Sequence, residues 1–264
     1  MHHQRSLGGR LIPAVLAFLL IFVPCAFAQT AVDGAIGGTV LDSSGAVVPN
    51  ATVSVRNGGT NAEQTTVSDA SGYFRVLHLQ PGAYSVNIAA KGFSNYHSVN
   101  VTVQVGVLTG LDARLTVGAT AQTVEVTGEA PLVNTTSPDF AGVVDEETIR
   151  TIPENNYRWS AFALLTPGVV NDSNGYGLLS FRGQSTLLNN VTIDGTDDNQ
   201  AYFSEERGRT RAGYSTIKAA VQEFQVNTSN YSVEYGRSAG GIVNSITKSG
   251  SNALHGEGYY YDRD

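Results

Sequence analysis

Cysteine, methionine and tryptophan are almost absent from this chain of 264 residues, which contains one of each. The cysteine, Cys25, and the methionine, Met1, both lie within the first 28 residues. A chain without cysteine beyond that point forms no disulfide and no thiolate metal site. We therefore expect core packing and sheet hydrogen bonds to hold the rest of the protein together.

Charge is also scarce. Charged residues make up 15% of the chain, where roughly a quarter is typical of soluble proteins. The formal net charge is −7, and no cluster of lysine and arginine occurs anywhere. Because a nucleic-acid partner requires a basic surface, this class of partner is excluded. The 41% of hydrophobic residues and the 29 glycines instead favour strands and tight turns around real cores.

The one long apolar run spans residues 11–23, and it follows Arg5 and Arg10. Behind it comes Ala26-Phe27-Ala28, where Ala26 and Ala28 form the small-x-small pattern of a signal cleavage site. The run is shorter than the roughly 20 residues that a membrane-spanning helix needs, so a transmembrane anchor is the weaker interpretation. The sequence predicts a secretory signal peptide over residues 1–28 and an exported protein.

Residues 34–117 consist of short alternating runs separated by turn signals about every ten residues. Val53 and Val55 lie on one face of such a run, as do Val101 and Val103 in a later one, because successive strand side chains point to opposite faces. The pattern predicts an all-β sandwich. Four stretches also resemble the carboxypeptidase regulatory-like domain: GTVLD (38–42), PNATV (49–53), SDASGYF (68–74) and LQPGAY (79–84). The resemblance implies a prealbumin-like sandwich and no peptidase activity.

Residues 136–250 mix helices with strands, which predicts an α+β unit. Carboxylates at 145–147 are typical of a helix start, and that helix must end before Pro153. A second helix is expected over 156–165 with Phe162 and Leu165 in its buried stripe, and a third over 217–223. Strands are expected at 178–182, 190–193 and 241–247.

A series of motifs in this second half resembles the plug domain of TonB-dependent receptors, in the subgroup with an Oar-like barrel. The matching stretches include LLTPGV (164–169), FRGQ (181–184), NVTIDG (190–195), VQEFQV (221–226) and NYSVEYGRSAGG (230–241). The resemblance carries the motif positions over to ten residues of this chain: Arg182, Gly183, Asp194, Gly195, Glu234, Tyr235, Gly236, Arg237, Gly240 and Gly241.

The cluster from Glu234 to Arg237 has two interpretations. It could contact a barrel wall or assist rearrangement of the plug. The favoured interpretation is a structural turn in which Gly236 permits a backbone conformation that other residues do not adopt.

The resemblance implies a role in the bacterial outer membrane, on its periplasmic side. In the family, the plug fills the lumen of a β-barrel, and a periplasmic TonB-type protein pulls on an extended segment before it. The expected partners are that energy-coupling protein, the chain's own or a separate outer-membrane barrel, and a small-molecule or oligosaccharide ligand. Residues 251–264 resemble the start of the barrel, and one strand does not satisfy its backbone in lipid, so we expect no transport by this chain alone.

Residues 118–135 form the expected linker between sandwich and plug. Within it, Thr123, Val124, Glu125 and Val126 alternate as a short strand would. Strand addition to a partner requires an edge with free N–H and C=O groups, so this segment is the candidate TonB contact. The alternative interpretation makes it the first strand of the plug.

No pattern typical of catalysis occurs in the sequence. The three histidines beyond the signal region, His78, His97 and His255, have no metal-binding spacing, and no nucleophile elbow or phosphate loop is present. Residues 194–199 contain several carboxylates but lack the order of a calcium loop. The sequence therefore predicts a protein that is not an enzyme, with no catalytic residue, no metal and no cofactor.

A second functional hypothesis remains open. The chain could be a secreted adhesion or carbohydrate-binding protein whose working part is the sandwich. Glycan binding by the sandwich would support this hypothesis, whereas an in-frame continuation of the gene into alternating ten-residue strands would support the receptor.

Overall fold

The computed structural model describes residues 32–118, 123–127, 140–152, 159–171, 178–199, 218–231, 235–236, 238–256, 258 and 260. The predicted signal peptide and most of the predicted linker lie outside these ranges. Strands dominate, as the composition predicts. The strands of the first half are β1 (Gly34–Asp42), β2 (Thr52–Asn57), β3 (Glu63–Val67), β4 (Tyr73–Leu79), β5 (Gly82–Ala89), β6 (Asn95–Val103), β7 (Leu108–Gly110), β8 (Ala113–Leu115) and β9 (Thr123–Thr127).

The first half is the predicted β-sandwich. One sheet has the order β4-β1-β7, with β8 also pairing with β1, and the other has the order β3-β2-β5-β6-β9. Alternate residues of both sheets point inward, so that the alternating runs in the sequence become one shared core. Its fully buried members include Ile36, Val40, Val53, Phe74, Val86 and Ile88.

Two aspartates fix the turns of this sandwich. Asp42 Oδ1 accepts hydrogen bonds from the Ser44 hydroxyl and from the backbone N–H groups of Ser44 and Ala46. Asp69 does the same for Ser71 and Tyr73. These bonds favour the charged carboxylate and hold the pKa of both aspartates below the usual value. Side-chain bonds of this kind replace the sheet ladder where the chain reverses.

The second half, here called the second unit, is built on a five-stranded sheet with the order β10-β15-β16-β13-β14. A separate pair, β11 and β12, is antiparallel. Within the second unit, β10 and β16 pair antiparallel with β15, and β13 pairs parallel with β16. Its strands are β10 (Phe140–Val144), β11 (Val169–Asn171), β12 (Leu179–Phe181), β13 (Asn190–Ile193), β14 (Thr196–Asp197), β15 (Val221–Ser229) and β16 (Ile242–Thr247).

Helix α1 (Glu146–Thr151) begins where the carboxylates predicted it. Asp145 caps it, because its Oδ1 accepts the N–H of Thr148 at 2.8 Å. Hydrogen bonds from the side chain and then the backbone of Thr148 lower the pKa of Asp145. Within the described ranges, none of the helices has the length and apolar character that crossing a membrane would require.

Two helix predictions were wrong in detail. The second helix is a 3₁₀ helix, Trp159–Leu165, in which Phe162 is buried but Leu165 is 49% exposed. The third helix is only a 3₁₀ turn, Lys218–Ala220, because Val221 already begins β15, an inner strand of the sheet. Another 3₁₀ turn, Thr186–Leu188, precedes β13.

Candidate functional site: the junction between the sandwich and the second unit

One face of β15 is polar and nevertheless buried. Glu223, Gln225 and Asn227 alternate along this strand and share that face; they are 5%, 2% and 1% exposed. The opposite face carries Phe224 and Val226, which pack into the apolar core of the second unit. Since a buried polar side chain is costly unless it is hydrogen-bonded, the polar face must be explained by what covers it.

The cover comes from the sandwich. In the turn after β6, Val105 donates its backbone N–H to Glu223 Oε1 at 2.6 Å. The carbonyl of Val105 accepts a hydrogen bond from Gln225 Nε2 at 3.4 Å. The side chain of Val105 is itself fully buried. Glu223 and Gln225 thus satisfy both backbone groups of Val105. They follow it in the chain by 118 and 120 positions.

Gly106 makes this approach possible. Its φ is +67°, and a Cβ atom at this position would lie 2.4 Å from Gln225 Nε2. Glycine alone adopts such a backbone freely and leaves room for the amide. On the other side of Gln225, the Tyr235 hydroxyl donates to Gln225 Oε1. The predicted motif residue Tyr235 is therefore connected through Gln225 to the turn of the sandwich.

Two further residues join the halves: Gln222, next to Glu223 in β15, and Asn252, after the end of β16. Gln222 Nε2 donates to the carbonyl of Pro81 at 3.2 Å. Asn252 donates from its backbone to Gly59 and from its side chain to Thr60, at 3.1 and 2.7 Å. Between them lies an open cleft of about 760 Å³, on whose wall Lys248 pairs with Glu146 at 2.9 Å. The junction is thus held at several points.

Glu223 is the titratable group with the clearest perturbation in the described part of the chain. Burial raises its pKa to about 7, opposed by the hydrogen bond from Val105 and assisted by the negative charge of Asp145. On folding, the carboxylate loses its water and gains one backbone donor, the N–H of Val105. The loss of water raises the pKa by more than this hydrogen bond lowers it. Protons therefore bind Glu223 more tightly in the folded protein than in the unfolded chain.

The predicted motif residue Asp194 holds two strands in register. It forms the turn after β13 with Gly195, at φ values of +48° and +73°. Its carboxylate accepts the N–H of Thr247 at 2.8 Å and the hydroxyl of Thr247 at 2.7 Å. The contact ties the end of β13 to the end of β16, where the two strands lie parallel. The geometry assigns Asp194 a structural role.

Asp194→Ala is expected to lower the free energy of unfolding by about 2 kcal/mol. The variant loses two hydrogen bonds to a carboxylate and places alanine in a left-handed conformation. Asp194→Asn is the control, since asparagine tolerates this conformation and keeps one acceptor. Urea unfolding followed by the fluorescence of the single tryptophan, Trp159, measures both. Equal losses in the two variants would contradict the assignment.

Other predicted motif residues lie in turns that close the second unit. Arg182 and Gly183 follow β12, and both have positive φ values. The Arg182 backbone N–H donates to Gly168, and Arg182 Nη1 donates to Ser229 Oγ, both at 2.7 Å. Arg182 therefore bridges the small β-pair to the end of β15, a role within the second unit.

Three glycines of the last motif, Gly236, Gly240 and Gly241, form hydrogen bonds with residues 188–190. Asn190 Nδ2 donates to the carbonyl of Gly236 at 2.8 Å. Asn189 Oδ1 accepts the N–H of Gly241 at 3.1 Å, and Gly240 donates to the carbonyl of Leu188 at 3.0 Å. Gly236 has no positive φ, and a Cβ there would meet nothing, so the conformational reason predicted for it was wrong. Glu234 and Arg237 lie outside the described residues, as do Ala26 and Ala28.

The candidate TonB contact is strand β9. It pairs in parallel with β6, from Asn95 opposite Thr123 to Val99 opposite Thr127. It is the last strand of the sandwich sheet, and the first strand of the second unit is β10. The alternative interpretation, in which Thr123, Val124, Glu125 and Val126 begin the second unit, therefore differs from the structure. Which protein contacts β9 stays a prediction.

The residues that build the junction were missed by the sequence reasoning. Glu223 and Gln225 belong to the quoted motif VQEFQV, but only as a match to a family pattern. The available signal was the alternation of polar with apolar residues across 221–226, which indicates a strand with two different faces. Nothing in the sequence indicated that the turn at Val105 covers the polar face.

Comparison with known proteins gives this geometry a context. Residues 35–116 match the model of the carboxypeptidase regulatory-like domain. Over 97% of its length, the chain is 30% identical to the TonB-dependent transporter Oar of Myxococcus xanthus, of which it covers 24%. The resemblances stated from the motifs are thereby confirmed. The chain spans about a quarter of the length of that relative.

Two solved structures of outer-membrane proteins are similar to part of the chain. The transporter YddB from Escherichia coli shares 19% identity, covering 44% of this chain and 19% of that one, with a TM-score of 0.36. The siderophore receptor PirA from Pseudomonas aeruginosa shares 23% identity over the same shares of both chains, with a TM-score of 0.32. The similarity of these two structures is confined to less than half of the chain.

Proposed function

We propose that this chain forms the periplasmic and plug portion of a TonB-dependent outer-membrane transporter. The observation that carries the proposal is the 30% identity to the transporter Oar across nearly the whole chain. In this role the second unit closes a barrel lumen, the sandwich lies on the periplasmic side, and the chain is no enzyme. Export through the predicted signal peptide is part of the same proposal.

The junction supports such a role because it joins the two halves through several hydrogen bonds. The pair Glu223 and Gln225 holds the turn at Val105, and Gln222 holds Pro81. A movement of the sandwich is therefore transmitted to β15, an inner strand of the second unit, rather than lost in a free linker. A plug that is opened by a pull from the periplasm requires such a connection.

The partners follow from the proposed role. A periplasmic TonB-type protein supplies the pull through Thr123, Val124, Glu125 and Val126. A β-barrel, from the same gene product or a separate one, surrounds the second unit. The transported ligand is a small molecule or an oligosaccharide.

Binding to the periplasmic domain of the TonB-type protein of the same bacterium tests the proposal. Proline at Val124 and at Val126 removes backbone donors and disrupts strand pairing. We expect calorimetry to show binding to the unmodified chain and none to this double variant. The control is proline at Ala119 and Ala121, in the linker before β9. No binding by the unmodified chain, or equal binding by both variants, would contradict the proposed coupling.

The second hypothesis, an adhesion or carbohydrate-binding sandwich, has less support on the described surface. Sugar platforms use exposed aromatic rings. In the described part of the sandwich, Phe74, Tyr84 and Tyr96 are buried, and Tyr73 is the one exposed aromatic side chain, at 38%. Glycan-array binding that Tyr73→Ala abolishes would favour the adhesion hypothesis over the transporter.

A further inference from the structure

The sandwich and the second unit do not share an apolar core in the described part of the chain. The buried apolar cluster of the sandwich lies between Ile36 and Leu115, and that of the second unit lies between Val144 and Val243. Val105 is buried but belongs to neither cluster. The two halves can therefore separate without exposing either core, at the cost of a few hydrogen bonds and the limited apolar contact around Val105.

The carboxyl group of Glu223 has a single partner in this junction. Oε1 accepts the backbone N–H of Val105 at 2.6 Å, and no other hydrogen bond or ion pair of this carboxyl group occurs among the described residues. A buried carboxylate without a cation partner is costly. The protonated, uncharged carboxyl group accepts the same N–H without that cost.

The groups that the second unit places around Glu223 do not compensate for its burial. Asp145, at the start of α1, adds a negative charge that opposes ionisation of Glu223. The lysine of this region, Lys248, is already paired with Glu146 at 2.9 Å. On the neighbouring strand β16, the register partner of Glu223 is the uncharged Ile246.

The sandwich brings no charge to Glu223 either. The turn that covers it, residues 104–107, consists of glutamine, valine, glycine and valine. Behind this turn, Gly106 donates its N–H to the backbone carbonyl of Asp33 at 3.1 Å, and the carboxylate of Asp33 lies 3.4 Å from His78 Nδ1. A negative charge on Glu223 in the closed junction is therefore stabilised by one N–H alone.

Gln225, the other side chain that holds the turn, does not titrate. It donates to the carbonyl of Val105 at 3.4 Å and accepts a hydrogen bond from the Tyr235 hydroxyl. Of the two side chains that hold Val105, Glu223 is the one whose charge changes with pH.

We infer that ionisation of Glu223 shifts the junction towards an open form, in which the turn at Val105 has left β15 and water reaches the carboxylate. The inference goes beyond the proposed function, because it concerns the chain with or without a coupling partner. Under the proposed function, a pull on the sandwich would reach β15 less often at alkaline pH.

The direction of the effect follows from the two environments of the carboxyl group. In the open junction it lies in water and has its ordinary pKa of 4.5, whereas burial raises the pKa of Glu223 to about 7 in the closed junction. The stabilisation of the closed form is therefore complete below pH 4.5 and is lost as the pH rises through 7. Between pH 6 and 8, the ratio of open to closed junction is expected to increase about tenfold.

Exchange of the Val105 amide proton measures this opening in the unmodified full chain, because its acceptor, Glu223, lies across the junction. Nuclear magnetic resonance follows the single amide, and the observed rate is divided by the intrinsic exchange rate at each pH. We expect this ratio to increase about tenfold between pH 6 and 8. The amide of Ile88, in the core of the sandwich, should exchange at least about a hundredfold more slowly at both pH values, since the sandwich stays folded.

Equal exchange at Val105 and Ile88 would show that the junction opens only when the protein unfolds, and would overturn the inference. Glu223→Gln keeps an acceptor for Val105 and carries no charge, so we expect the same exchange ratio at pH 6 and 8. Glu147→Gln, at an exposed position on α1, should keep the full increase. An increase that persists in Glu223→Gln would assign the effect to another group, such as His78, and would also overturn the inference.

A reversible cross-link tests the movement without changing Glu223. A Cβ atom at Gly59 would lie 3.6 Å from Ser251 Cβ, a separation that suits a disulfide. Gly59→Cys with Ser251→Cys ties the sandwich to the segment after β16, and Cys25→Ser removes the one native cysteine. At pH 8 we expect the oxidised chain to keep the Val105 exchange ratio of pH 6, and reduction to restore the increase.

A full increase in the oxidised chain would show that the two halves do not separate, and would overturn the inference. None of these measurements involves a TonB-type protein. The proposed function is tested separately by the calorimetry described above, so that the two can fail independently.

Discussion

Replacing Gly241 by alanine is expected to lower the free energy of unfolding of the second unit by about 3 kcal/mol. A Cβ atom at this position would lie 2.2 Å from the ring of Phe181. That ring is 1% exposed, and it packs in the core of the second unit. The backbone of Gly241 is fixed as well, because its N–H donates to Asn189 and its carbonyl accepts from Asn190. Neither side of the contact has room to move.

The matched control is Gly236→Ala in the same motif. A Cβ there would meet no atom within 4 Å, and the φ of Gly236 is not positive. We expect this variant to unfold within about 0.5 kcal/mol of the parent. Urea unfolding followed by the fluorescence of Trp159 reports on the second unit, which contains the only tryptophan. Equal stability of the two variants would show that the contact with Phe181 does not determine the effect of alanine at Gly241.

Glu223→Gln is expected to remove a pH dependence of stability between about pH 4.5 and 7. Glutamine keeps an acceptor for the N–H of Val105 but does not ionise. The pKa of Glu223 rises from its ordinary value of 4.5 to about 7 on folding, so the folded protein binds the proton more tightly. Ionising the buried carboxylate then costs stability, and a shift of this size corresponds to roughly 3 kcal/mol.

The direction of this pH dependence of stability follows from proton linkage. Below pH 4.5, Glu223 is protonated in both states, and parent and variant are expected to have similar stability. Between pH 4.5 and 7 the unfolded chain loses its proton first, so the stability of the parent falls as pH rises. Above pH 7, Glu223→Gln is expected to be more stable than the parent by the full difference of roughly 3 kcal/mol. The lowered pKa values of Asp42, Asp69 and Asp145 act at lower pH, outside this window.

Urea unfolding at pH 4.5, 6 and 8 measures the difference between parent and Glu223→Gln. Glu147→Gln removes the same formal charge at an exposed position on α1 and serves as the control for net charge. A difference between parent and Glu223→Gln that stays constant over this range would contradict the burial argument. Glu223→Ala, by contrast, should be destabilising at every pH, because it leaves the buried N–H of Val105 without an acceptor.

The sandwich was predictable because its strands and turns depend on residues that are close together in the sequence. One face of each strand is buried, so that Val53 and Val55, or Val101 and Val103, mark the inner face directly in the sequence. The turns are equally local, since Asp42 and Asp69 bind backbone groups two and four residues ahead. Capping of α1 by Asp145 is a local signal of the same kind.

Strand β15 was less predictable, because its polar face is buried by a part of the chain that is distant in the sequence. From the sequence a helix is expected over 217–223, whereas Glu223, Gln225 and Asn227 alternate along strand β15. In the folded protein the turn at Val105 covers this face from more than 100 positions away. The partner of β9 was hidden for a similar reason. Alternation predicts a strand, whereas it does not tell which sheet the strand joins.

The edge position of β10 has a mechanical consequence. This strand is the first described part of the second unit after β9, and among the described residues it pairs with β15 alone. Its pairing with β15 is irregular at its N-terminal end, where a register shift lies between Phe140 and Ala141. Under the proposed function, a tension along the linker therefore reaches this irregular end of β10 before the rest of the sheet. Under that function, β10 would separate from β15 first, and the other four strands of the sheet would stay paired.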